Sequence, residues 1–296
     1  MNGNNKPLVS IIVNCYNSDL YLKETLDSIL SQTYQNWEII FWDNQSKDRS
    51  AEYFNNYSDV RFKYFYAPKH TLLSTARNLA VEKANGVLLA FLDCDDIWYP
   101  NKLLLQVDFL LQKNIGFVYS KFNLLISSND LNAKKAVNYY EKVRLRCTSH
   151  GPKNLYKVLL ESNYIIFSSV LILKSIFQKI GGFKNDLKQN EDYEILLKIS
   201  LIYLGVCIDY EGVQYRIHSV NNSHENDERN FIENKIIFSS LPVSNDLKNA
   251  KLRNKVRYGL FKILIKHDLS GVKNLINFHS FKYLIKIFLN RMVFKI

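Results

Sequence analysis

"LLAFLDCDDIWYP" (88–100) runs five apolar residues directly into Asp93, Asp95 and Asp96, followed by an aromatic pair and a proline. A short apolar run bounded by turn residues reads as a buried strand. Three carboxylates at its end repel one another and are costly to bury unpaired. Something cationic, or a helix N-terminus, must therefore meet them.

The same pattern recurs upstream. "LVSIIVN" (8–14) is a strand that ends at Asn14 and Asn17, "WEIIFW" (37–42) ends at Asp43 and Asn44, and "RFKYFYA" (61–67) is a third strand. Amphipathic helices separate them: "LYLKETLDSILSQ" (20–32) places Leu22, Leu26, Ile29 and Leu30 on one face, and "TARNLAVEKAN" (75–85) ends at Gly86, read as its C-cap. "NKLLLQVDFLLQK" (101–113) is a further helix with Pro100 in its first turn. Alternating strands and helices predict a mostly parallel α/β sheet flanked by helices. Ligands of such sheets bind outside the carboxyl ends of the strands. Three strand ends here point polar groups at one crevice.

At 296 residues and 47% hydrophobic, the chain exceeds one typical domain of about 100–200 residues and has ample material for a core. Cys15, Cys94, Cys147 and Cys207 lie far apart with no CxxC pair, which argues against a zinc ribbon or disulfide framework and suits a reducing cytosol. "MNGNNKP" is not a signal peptide, and no run of about 18 apolar residues occurs. The expected location is cytoplasmic.

Charge is concentrated at one end. From Lys251 to Ile296 eleven Lys and Arg face a single acid, Asp268, so this stretch carries nearly all of the formal +11. In "FKYLIKIFLNRMVFKI" (281–296) cations recur every four or five residues and leave a broad apolar face; "KVRYGLFKILIK" (255–266) repeats the pattern. Two readings stand: a helical extension packed on the core with a solvated basic face, or a peripheral anchor on anionic lipid at the inner face of the membrane. Nucleic acid is a poor partner for a tail so apolar on its other face. The division expected is a catalytic domain over 1–225 and a basic helical extension over 226–296.

Carboxylates spaced as in "DCDD" can hold Mg²⁺ or Mn²⁺, with substrate phosphates and water completing the shell. The competing reading is that Asp95 or Asp96 caps the helix of 101–113.

These residues resemble a family 2 nucleotide-sugar glycosyltransferase of GT-A fold. The resemblance is carried by "VSIIVNCYN" (9–17), "SILSQTYQNWEIIFWDNQSKDRS" (28–50), "ARNLAVEKANGVLLAFLDCDDIWYP" (76–100), "SSVLILKSIFQKIGGF" (168–183), "NEDYEILLKIS" (190–200) and "YRIHSVNNS" (215–223), which follow the family's order over about 215 residues. It implies a Rossmann-like sheet and inverting, metal-dependent transfer from a nucleotide sugar, a UDP-sugar favoured, to a glycan or lipid-linked acceptor. It places Asn14, Tyr16, Asn17, Asp43, Asn44, Arg77 and Asp95 on the nucleotide. Asp96, Asp95 and His218 fall on Mn²⁺ or Mg²⁺, with Asp96 the leading ligand. Glu191 lies on the acceptor side and Asp192 is the base that takes the acceptor proton. Cys94 is a packing residue.

The chain departs from the family pattern at Asn14 for proline, Asn44 for aspartate and Gln45 for glycine. Two other classes stay open. A sugar nucleotidyltransferase would need a Gly-rich phosphate loop, absent from "NCYNSDLY" (14–21), and a non-catalytic nucleotide-sugar binder would need these acids out of position. Acceptor specificity is expected between Ile126 and Asn163, with "SSNDLNAKK" (127–135) as a loop.

Overall fold

A computed structural model describes residues 6–128, 131–218 and 227–265. The chain divides into two units, Met1–Asn222 and Ser223–Ile296. The first begins with β1 (Val9–Cys15), α1 (Asp19–Leu30), β2 (Trp37–Asp43), α2 (Ser50–Asn55), β3 (Phe62–Tyr66), α3 (Leu73–Glu82) and β4 (Leu88–Phe91). It continues through β5 (Ile97–Trp98), α4 (Lys102–Leu110), β6 (Ile115–Ile126), α5 (Leu131–Arg146), β7 (His150–Lys153) and α6 (Tyr156–Leu159). A 3-10 turn at Phe167–Ser169 leads to β8 (Leu171–Leu173), α7 (Lys174–Lys179), α8 (Glu191–Ser200) and β9 (Leu204–Ile217). The second unit contains α9 (Asp227–Ser240) and α10 (Asn245–Ile265). The apolar tail helix expected over 281–296 lies outside the described residues.

One sheet runs in the order β3-β2-β1-β4-β8-β6-β9-β5, with β7 added on β9. β3, β2, β1 and β4 are parallel. β8 lies antiparallel between β4 and β6, and β9 is parallel to β6. Two reversals restore direction, so the carboxyl ends of β1, β2, β4, β6 and β9 all lie along one edge. That edge gathers Asn14, Asp43, the acidic turn after β4 and His218 after β9. It is the edge that the strand endings predicted.

β1 and β2 are buried along almost their whole length, as strands covered on both faces must be. Two buried polar residues pair across these strands: Ser10 donates to Glu38 at 2.6 Å, and Glu38 also accepts from Lys63 and from the Asn85 N–H.

Several local expectations are corrected. α3 already ends at Glu82, and Gly86 is not its cap. A Cβ at Gly86 would lie 2.6 Å from the Leu8 carbonyl and 2.7 Å from the Ser10 nitrogen, so glycine there permits the close approach of β1. Pro100 lies outside α4, whose N-cap is Asn101, and β5 separates the acidic turn from that helix. Neither Asp95 nor Asp96 caps α4. The stretch expected as a loop after Ile126 leads into the sixteen-residue helix α5. Gly86→Ala is expected to destabilise the protein by about 1–3 kcal/mol through overpacking against immobile backbone, read as a lowered melting temperature.

Candidate active site

The turn Asp93–Asp96 is tied from behind by its backbone. Thr25 Oγ1 donates to the carbonyls of Cys94 and Asp96, both at 2.9 Å, and Arg216 Nε donates to the Asp95 carbonyl at 2.7 Å. Arg216 is itself fixed by Glu24 at 2.8 Å and Ser127 at 3.0 Å, and its guanidinium lies over the Tyr21 ring at 4.2 Å.

With the backbone held, the three carboxylates meet different partners. Asp96 is wholly buried and accepts from Ser168 Oγ at 2.6 Å and from the Arg216 N–H at 3.0 Å. Burial first, then the charges of Asp95 and Asp93, push its carboxyl well above the usual range, against the pull of those two donors. Asp96, expected as the leading metal ligand, lies behind the turn, where each of its oxygens accepts from a protein donor. Asp95 has a side chain 30% exposed, and its Oδ2 lies 2.9 Å from His218 Nε2. His218 thus arrives beside the acidic turn from the end of β9, 123 residues away in sequence. A carboxylate and an imidazole paired at an open edge are two donors suited to a divalent ion. Among the described residues no group of three or more His, Cys, Asp or Glu could hold a metal.

Asp93 turns the other way. Arg77, buried on α3, donates through Nη2 to Asp93 at 2.8 Å and through Nη1 to Glu191 at 2.7 Å. Expected on the nucleotide, it spans the β4 turn and the start of α8. Glu191, expected toward the acceptor, is buried on this bridge. Beside it, burial foremost and then the Glu191 charge raise the Asp192 carboxyl to about 7, although Arg77 and the Tyr193 N–H pull it down. A carboxyl poised there is half-protonated near neutrality, as a general base requires.

At the β1 and β2 ends, Asp43 is fully buried and accepts from Tyr64 Oη at 2.6 Å and the Ser46 N–H at 2.7 Å. Asn44 holds residue 71 through the Thr71 carbonyl and N–H, and its own carbonyl meets His70 Nδ1 at 2.8 Å. His70 packs on Tyr16 with ring centroids 4.3 Å apart. The two exposed residues, their rings tilted at 49°, form an aromatic shelf beside Asn44. The Asn14 amide nitrogen and oxygen are buried with no hydrogen-bond partner among the described residues. Asn17 and Gln45 adopt φ of +50° and +71°. Gln45 thus keeps the left-handed backbone for which the family uses glycine. Cys94 is buried, and its hydrogen bond with Cys15, then burial, push its thiol well up, as befits a packing residue.

Arg216, Ser168, Thr25 and His70 were not singled out in sequence. Arg216 and Ser168 lay inside quoted motifs, but no spacing rule connects them to residues 95 and 96.

The glycosyl transferase family 2 model matches residues 10–181. The UDP-Glc:alpha-D-GlcNAc-diphosphoundecaprenol beta-1,3-glucosyltransferase WfgD of Escherichia coli is 38% identical over 219 residues, covering 72% of this chain and 80% of that one. The putative teichuronic acid biosynthesis glycosyltransferase TuaG of Bacillus subtilis is 36% identical over 122 residues, 40% of this chain and 48% of its own. Among solved structures, S. aureus TarS in complex with UDP aligns with a TM-score of 0.60 at 17% identity, over 86% of this chain and 71% of that one. A mannosyltransferase from Pyrobaculum calidifontis with GDP-Man and Mn²⁺ aligns at 0.64 and 15% identity, over 97% and 81%. At such identities the structural likeness shows the GT-A fold.

Arg77→Met leaves Asp93 and Glu191 without their shared cation. A loss of about 3–5 kcal/mol is expected, with a correspondingly lower melting temperature, whereas Glu191→Gln, which keeps an acceptor for Arg77, should cost less.

Proposed function

The chain belongs to glycosyl transferase family 2, and we propose that it transfers a sugar with inversion from a nucleoside diphosphate sugar to a lipid-linked glycan acceptor in surface polysaccharide synthesis. The observation that carries this reading is the pairing of Asp95 with His218 at the open strand edge, within the same Arg77-bridged cluster of elements that holds Asp192.

Asp95 and His218 would hold the divalent ion, and the imidazole donor favours Mn²⁺ over Mg²⁺. Such an ion, when bound, supplies positive charge against the developing charge of the nucleoside diphosphate leaving group. The aromatic shelf of Tyr16 and His70 suits a stacked base, and the buried Asn14 amide offers a donor and an acceptor to its polar edge. Asp43 and Asn44 shape that subsite from behind. Asp192 takes the proton of the acceptor hydroxyl as that oxygen attacks the anomeric carbon from the face opposite the diphosphate. The bond to the donor phosphate oxygen breaks as the new glycosidic bond forms, and one displacement inverts the centre.

UDP-sugars are the first donors to test, because two of the similar proteins carry UDP or UDP-Glc in their names. The Escherichia coli relative's name specifies a diphosphoundecaprenol-linked acceptor. The chain's own transfer should therefore be assayed on GlcNAc-diphosphoundecaprenol as well as on water. A non-catalytic binder would show donor binding without turnover.

With Mn²⁺ and a panel of UDP-sugars, released UDP should identify one donor, and Asp95→Asn should lower its turnover about a hundredfold or more. Loss of activity in neither Asp95→Asn nor His218→Ala would refute the assigned ligands. Transfer should fall as pH drops below about 7, since Asp192 is then protonated and cannot accept the hydroxyl proton. In Asp192→Asn the rate should drop by about 10²–10⁴-fold and that acid limb should vanish from what remains.

A further inference from the structure

Helix α5 lies in the region where the sequence offered no motif, and its two faces differ sharply. The inner face, Ala133, Ala136, Tyr140 and Val143, is buried; Tyr140 packs on Tyr215 of β9 with ring centroids 4.6 Å apart. The outer face exposes Leu131, Tyr139 and Leu145 by 68%, 56% and 70%. Between them stand the exposed lysines Lys134, Lys135 and Lys142. Among the described residues of α5 the one acid is Glu141, at the margin of this face and paired with Arg144 at 2.8 Å. Large exposed apolar side chains beside lysines that outnumber the acids among the described residues of the helix suit a surface that is anionic outside and apolar just beneath.

We propose that the outer face of α5 docks the enzyme on an anionic phospholipid bilayer. Charge selects the occupant: three lysines complement lipid phosphates, while Leu131, Tyr139 and Leu145 enter the acyl boundary, as in interfacial helices. An acidic protein partner would answer the lysines but would leave the leucines to be matched separately. The position suits the purpose. α5 leaves the same strand edge as the site, five residues after Ile126, which pairs with Ile217 immediately before His218. A cavity of about 290 Å³ lined by Ile126, Ser128, Lys134, Val137 and Asn138 opens between the first turns of α5 and that edge. A membrane-borne acceptor would therefore meet the docking helix and the site together. The purpose, though not the binding, rests on the lipid-linked acceptor proposed above. None of these residues belongs to the basic tail over 251–296.

The test is cosedimentation of the full chain with vesicles of neutral phosphatidylcholine or of phosphatidylcholine with 30% phosphatidylglycerol. The wild type should partition onto the anionic vesicles alone and be released by salt. Lys135→Gln with Lys142→Gln should weaken partitioning about thirtyfold, from the loss of two lysine contacts. Leu131→Ser with Leu145→Ser should weaken it without altering the salt dependence. Lys282→Gln with Lys286→Gln, in the tail, is the comparison variant. Melting temperature and donor hydrolysis should stay at wild-type values in the α5 variants. Wild-type partitioning in both α5 variants, equal binding to neutral vesicles, or no binding by the wild type would each overturn the proposal. Donor hydrolysis is read separately, so a failed enzyme reading would appear there and leave the vesicle result standing.

Discussion

The guanidinium of Arg77 is the tie on which the site depends. It lies on α3, is almost wholly buried, and joins the acidic turn after β4 to the start of α8 through Asp93 and Glu191. An arginine suits this place because its planar fork serves two carboxylates in fixed directions, which a lysine ammonium does not. Buried ion pairs add little net stability, since desolvation offsets most of the attraction, but breaking one is costly. The bridge therefore specifies geometry more than it stabilises. It holds two distant chain segments, around Asp93 and Glu191, in a fixed register.

The same economy separates the acids of "DCDD" by depth. Three carboxylates cannot share one environment without mutual repulsion. Asp96 is turned inward to neutral donors, Asp93 sideways to Arg77, and Asp95 outward to His218. The donor at the back of Asp96 belongs to Arg216, whose side chain also holds the Asp95 carbonyl. One residue of β9 thus supports two neighbouring acids, and two residues further along the same chain His218 meets Asp95.

Strand endings were legible because a parallel sheet imposes a single rule, apolar runs closed by polar residues, and Asn14, Asp43 and the acid turn obey it. Depth was not. Nothing in "DCDD" distinguishes the acid that faces the cleft from the one behind it; that depends on Ser168 and Arg216, brought there by the order of strands. Gly86 was misread for a similar reason, since a glycine after a helix is usually a cap and the nearness of β1 is a tertiary fact. Gln45 tells the converse story. Its left-handed backbone is dictated by the turn after β2, and the sequence, having lost the glycine, concealed the conformation. Lys102 would be placed on the surface by composition alone, yet it is fully buried, bonded to Gln106 at 2.9 Å and lying over the Trp98 ring at 4.0 Å. Burial drives its ammonium pKa well down.

The pair Glu191 and Asp192 shows how position on a helix is overruled by burial. Acids in a first turn are stabilised as anions by the helix dipole, worth about 0.3–1 kcal/mol. Raising a carboxyl from its usual range to about 7 takes roughly 4 kcal/mol, so the dipole cannot decide the outcome. Arg77 hydrogen-bonds Glu191 directly and reaches Asp192 only through space. The Glu191 charge therefore adds to burial in raising its neighbour. Arg77 offsets only part of that rise, because its fork is already filled by Glu191 on one arm and Asp93 on the other.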